Sequence, residues 1–99
     1  MKIILVCSAG MSTSMLVKKM RTAAEERGIK VNIDAVPESQ LKNNLEGLDV
    51  VLIGPQVRYL EKKIREFVEP KNIKVDIIDS MAYGMVQGDK VLEQAINLK

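Results

Sequence analysis

The sequence predicts an α/β fold: a four-stranded parallel sheet in the order 2-1-3-4 with helices on both faces. Two observations predict it. Ile3-Ile4-Leu5-Val6 and Val50-Val51-Leu52-Ile53 are unbroken apolar runs, as strands buried on both faces require. Strand-like and helix-like patterns then alternate four times, which calls for parallel strands joined by right-handed crossovers. In that order the first strand is an inner one. Ligands of such sheets bind beyond the carboxyl ends of the strands, where the order reverses.

Each element has its own signal. Lys2 to Val6 is the first buried strand, and it runs into Cys7-Ser8-Ala9-Gly10-Met11-Ser12-Thr13-Ser14, a small and polar connection. A helix follows from about Ser14 to Arg27, with Met15, Leu16, Met20, Ala23 and Ala24 on its apolar face. Ser12, Thr13 and Ser14 are cap residues in type, and Gly28 is placed to end the helix. Ile29 to Val36 alternates through Val31, Ile33 and Ala35, as a strand nearer the edge does. Pro37 and Glu38 open a short helix carrying Leu41 and Leu45, stopped by Gly47.

Asp49 to Ile53 is the second fully buried strand, ended by Gly54-Pro55. Val57, Leu60, Ile64, Phe67 and Val68 recur at helical spacing over residues 57–69, and Pro70 closes that helix. Lys74 to Ile78 is the fourth strand. Asp79-Ser80 leads to Met81-Ala82-Tyr83-Gly84, and a last helix from about Asp89 buries Val91, Leu92, Ala95 and Ile96. The pieces gathered at the carboxyl ends are therefore the Cys7 connection, Gly54 to Arg58, and Asp79 to Gly84.

Composition narrows the function. Residues 1–99 make one ordinary domain, 46% hydrophobic and 28% charged. A net charge of +2, from 15 basic and 13 acidic residues, lacks the field that nucleic acid requires. Tyr59, Phe67 and Tyr83 are too few aromatics for base stacking. No apolar run approaches the ~20 residues of a membrane span, so no direct membrane insertion is expected. Met1-Lys2 leads straight into a strand rather than a signal peptide. One cysteine and no histidine suit a cytoplasmic protein without disulfides, and neither a cofactor nor a metal is expected.

The chemistry concentrates at Cys7. A lone cysteine is commonly a small buried hydrophobe, Gly10 alone an ordinary turn residue, and a lone Ser or Thr a cap. As a unit, however, Ser8 to Ser14 turn backbone N–H groups toward one point at a helix N-terminus, an anion site with a nucleophile at its mouth. Helix N-termini are also where thiolates form most readily. A low-molecular-weight phosphatase would carry C-x5-R-S here. The arginine position holds Thr13, and no Asp-Pro supplies a general acid, since Ser80 follows Asp79. A thioredoxin-type pair fails because Gly10 stands where the second cysteine belongs. An FMN loop of flavodoxin type is a better rival, yet only Tyr59 and Tyr83 stand ready to stack a flavin. A receiver domain lacks its acidic residues, and no G-x-G-x-x-G occurs. What remains is a cysteine that accepts a phosphoryl group and passes it on, held by backbone N–H groups without an arginine clamp.

The segments "ILVCSAGMSTSMLV", "VLIGPQVRY" and "AYGMVQGDKVL", in that order and spacing, resemble the IIB component of the bacterial sugar phosphotransferase system, in its lactose/cellobiose (N,N′-diacetylchitobiose) family. The similarity covers essentially the whole chain. The resemblance implies a sheet similar to that of low-molecular-weight tyrosine phosphatases. It implies that Cys7 takes a phosphoryl group from a phosphohistidine of a cytosolic IIA protein and passes it to a sugar on the membrane-embedded IIC component. Ser8, Ala9, Gly10, Met11, Ser12, Thr13 and Ser14 would form the phosphoryl-binding loop. Met11, Gln56, Arg58, Met81, Tyr83 and Met85 would meet the partners. For Met81 and Met85 the competing expectation is core filling, for Arg58 a solvated side chain, and for Asp79 an ordinary helix cap.

Overall fold

The computed structural model describes residues 1–7 and 10–98, with the backbone alone at 10–12. Strands β1 (Lys2–Val6), β2 (Asn32–Val36), β3 (Val50–Ile53) and β4 (Lys74–Ile77) form one parallel sheet in the order β2-β1-β3-β4, as the sequence predicts. The helices are α1 (Gly10–Glu26), α2 (Glu38–Leu41), α3 (Glu61–Val68), α4 (Ser80–Gly84) and α5 (Gly88–Leu98).

Because strand side chains alternate, β1 and β3 feed two cores. Ile3, Leu5, Val50 and Leu52 pack with Leu16, Val17 and Met20 of α1 and Val91, Leu92 and Ala95 of α5. Ile4, Val6, Val51 and Ile53 pack with Leu41 of α2 and Ile64 and Val68 of α3. None of these eight strand residues is more than 1% exposed, which is why both runs are apolar throughout. Helices thus cover both faces. Gly88 lets the start of α5 lie on α1: a Cβ there would come within 2.6 Å of Lys19 Cβ and of the Met20 backbone nitrogen.

Several boundaries differ from the expected ones, each for a reason. Helix α1 begins at Gly10 rather than near Ser14. Its buried stripe of Thr13, Leu16, Val17, Met20, Ala23 and Ala24 reaches back to Thr13, so tertiary packing carries the helix through residues that read locally as loop and cap. Met15, expected on the apolar face, stands off that stripe and is 56% exposed. At the other end Gly28 adopts φ +68°, with its N–H on Glu25 O and that of Ile29 on Ala24 O, a Schellman ending. Ile29 is consumed by that ending, which delays β2 to Asn32.

The predicted helix over residues 57–69 is three pieces. Tight 3₁₀ turns run Pro55–Leu60 with Val57 out of helical geometry, α3 follows, and a further 3₁₀ turn, Glu69–Lys71, includes Pro70 at its start, where proline is tolerated. Asp79 is the expected cap: its Oδ2 accepts from Ala82 N at 3.0 Å and starts α4, a short helix that no apolar periodicity announced.

Candidate functional site

Cys7 follows the last residue of β1, and only residues 8 and 9 separate it from the first turn of α1. An α-helix leaves its first four N–H groups without intrahelical partners, so β1 aims Cys7 at the donor end of α1. Ser8 and Ala9, and the side chains of Met11 and Ser12, lie outside the described residues, as does the geometry of the expected cradle around them. Thr13 and Ser14 belong to the helix itself, Thr13 buried and Ser14 exposed.

The neighbouring strand ends are drawn close. Gly54 N–H donates to Val6 O at 2.8 Å, and Ile78 N–H to Ile53 O at 2.8 Å, so the carboxyl ends of β1, β3 and β4 are hydrogen-bonded side by side. A Cβ on Gly54 would lie 3.3 Å from Val6 O, 3.8 Å from Cys7 Cβ and 3.1 Å from Gln56 Oε1. The missing atom leaves room for the turn after β3 to close on Val6 O and for the Gln56 carboxamide to fold back over Gly54, with Cys7 Cβ at ordinary contact distance from the same point. Cys7 itself is 8% exposed, so its thiol sits at the floor of this end rather than on a rim.

α4 is tied to α1 near this end of the sheet. Thr13 Oγ1 and Tyr83 OH are hydrogen-bonded at 3.2 Å, and Thr13 is only 1% exposed. This bond ties the first turn of α1 to the helix after β4. The position that would hold a phosphatase arginine is therefore a neutral hydroxyl engaged by a tyrosine.

Of the expected partner-facing residues, Gln56 and Arg58 are exposed and Tyr83 is half-buried. Arg58 has no ion-pair partner among the described residues. Met81 and Met85 are 70% and 63% exposed, which excludes core filling. Met15 and Tyr59 are exposed as well. Met15 carried no signal because its spacing fits the apolar stripe to within one position. In sequence Gly54 reads only as a strand terminator, since its closeness to Cys7 depends on strands far apart in the chain. Among the described residues no helix is long and apolar enough to cross a membrane.

The family model for the lactose/cellobiose-specific IIB subunit of the phosphotransferase system matches residues 2–94. The oligo-β-mannoside-specific IIB component of Bacillus subtilis (strain 168) is 45% identical over 97 residues, covering 98% of this chain and 94% of that one. The galactose-specific IIB component of Lactococcus lactis subsp. cremoris (strain MG1363) is 43% identical, covering 97% and 94%. Among solved structures, the cellobiose-specific phosphotransferase IIB component of Borrelia burgdorferi superposes with a TM-score of 0.81 at 44% identity, covering 99% of this chain and 90% of that one. Matched over nearly its full length in sequence and in fold, this chain belongs to the lactose/cellobiose-specific IIB family of the sugar phosphotransferase system.

Proposed function

We propose that Cys7 is the phosphoryl carrier. Its thiolate attacks the phosphorus of a phosphohistidine on a cytosolic IIA protein: the S–P bond forms, the P–N bond breaks, and the imidazole leaves with the electron pair. A hydroxyl of a sugar held by the membrane IIC component then attacks the same phosphorus. The O–P bond forms, the S–P bond breaks, and the hydroxyl proton passes to a base on the acceptor side. The protein works in the cytoplasm and meets the inner face of the membrane only through IIC.

The observation that carries this reading is the placement of Cys7 between the carboxyl end of an inner strand and the N-terminus of α1. A helix N-terminus stabilises the phosphoryl charge, and the backbone N–H groups that open α1 would be its donors. At Thr13 the Tyr83-bound hydroxyl takes the place of a phosphatase arginine. Without that cation the S-phosphocysteine is held loosely enough to be handed on. We assign partner docking to Gln56, Arg58, Met81, Tyr83, Met85 and Met11, with the exposed Met81 and Met85 adapting to two different surfaces in turn. The sugar is of the β-glucoside type, in the cellobiose, chitobiose and lactose class.

Intact-mass measurement tests the carrier step directly. After incubation with phosphoenolpyruvate, the two general phosphotransferase proteins and a cognate IIA, the protein gains one phosphoryl group, and Cys7→Ser gains none while folding normally. Labelling that survives in Cys7→Ser moves the site elsewhere. Steady hydrolysis of an aryl phosphate without any carrier adduct makes the protein a phosphatase instead.

A further inference from the structure

β2 and β4 are the outer strands of the sheet. In a parallel pairing the N–H and C=O of one residue point to the same side, so alternate residues face outward. On β2, Asn32 N–H donates inward to Met1 O at 2.9 Å, which turns the backbone groups of Ile33 and Ala35 outward. On β4, Lys74 N–H donates to Asp49 O at 3.0 Å and Ile78 N–H to Ile53 O at 2.8 Å, which turns those of Val75 and Ile77 outward. Outward groups of this kind are the template on which another strand adds.

Both edges meet this hazard in the same way. Arg21 of α1 donates Nε and Nη2 to the Ile33 carbonyl, and Ala35 N–H donates to Oδ1 of Asp34 at 3.0 Å. Arg65 of α3 donates Nη2 to the Val75 carbonyl at 3.2 Å, and Ile77 N–H donates to Oδ1 of Asp76 at 2.8 Å. Gln94 of α5 adds a bond to the Ile77 carbonyl at 2.7 Å. Arg65 is held in place by Glu61 at 2.8 Å and Glu69 at 3.2 Å. The two arginines come from helices on opposite faces of the sheet, so the repetition is not the by-product of one local motif.

We infer that Arg21 with Asp34, and Arg65 with Asp76, close the two edges of the sheet against strand addition by a second copy of this chain. Each pair occupies one outward carbonyl and one outward N–H. Each also sets a positive and a negative charge where an incoming strand would have to strip them of water.

Sedimentation velocity across a concentration series tests the inference. Wild type and a charge-matched control, Lys18→Ala with Asp89→Ala, remain monomeric. Arg21→Ala with Asp34→Ala, and Arg65→Ala with Asp76→Ala, associate at a concentration at least about tenfold lower. Edge variants that keep the native circular dichroism spectrum and stay as monomeric as wild type overturn it, as would a wild type that dimerises through β2 or β4. Amide exchange of wild type serves where a variant fails to fold. The Ala35 and Ile77 amides exchange at least about tenfold more slowly than in a free peptide of the same sequence. Exchange at the free-peptide rate overturns the closure.

Discussion

At Thr13 a buried hydroxyl meets the phenol of Tyr83 across 70 positions of sequence. Removing the phenol takes this bond from the Thr13 hydroxyl, which is only 1% exposed. Tyr83→Phe therefore costs about 1–3 kcal/mol by urea denaturation, and a double-mutant cycle with Thr13→Val recovers a coupling of about 0.5–1.5 kcal/mol. A cycle without coupling would dissolve the link between α1 and α4. Gly54→Ala is expected to act on the cysteine itself. The new methyl meets Val6 O at 3.3 Å, which is backbone and yields little, so the turn after β3 moves off Cys7. Phosphoryl acceptance slows while stability falls by about 1 kcal/mol; acceptance at the wild-type rate would show that the close turn is incidental. Cys7 was legible in the sequence because a lone cysteine ends an apolar run. Thr13 reads locally as a cap because its partner Tyr83 lies in a distant helix.

Among the elements, α1 shows most plainly how packing overrules local preference. Ser12, Thr13 and Ser14 favour a helix boundary, yet the buried stripe runs through Thr13 and the helix starts at Gly10. The α4–α5 connection shows the same contest at Val86, a β-branched residue at φ +52°. Its N–H donates to Tyr83 O and that of Gln87 to Ala82 O, the ending in which glycine is usual. Its side chain packs on the α1–α5 core, which offsets the backbone cost. The seam between α1 and α5 has little slack. A Cβ at Gly88 would sit 2.5 Å from the Lys19 carbonyl carbon, so Gly88→Ala must push α5 from α1. A loss of about 1–3 kcal/mol is expected, with a lower thermal midpoint as the readout; an unchanged midpoint would mean the seam is soft.

For the whole molecule, the sheet divides the labour between its parts. Two cores hold it from either face, while the carboxyl ends of β1, β3 and β4 lie hydrogen-bonded side by side at the end of the sheet that carries Cys7. Met81 and Met85 stand exposed on and beside α4. Met81→Asp and Met85→Asp are expected to leave the thermal midpoint within about 2 °C, since each removes little buried area. Both should slow IIA-dependent phosphorylation of Cys7 several-fold. Unchanged transfer would place the docking face elsewhere.

Legible in the chain alone are the four strands, the longer helices, the strand order in the sheet, and the placing of Cys7 at the carboxyl end of an inner strand. Those features follow from short-range periodicity, from apolar runs such as Val50 to Ile53, and from the handedness common to all crossovers. The tertiary structure alone decided that Thr13 serves Tyr83, that Met15 faces outward, that Gly54 and Gly88 mark close approaches, and that Arg21 and Arg65 reach the edge strands. Each of these is a meeting between elements, and the chain's local pattern carries no record of which residue a neighbouring element will bring against it.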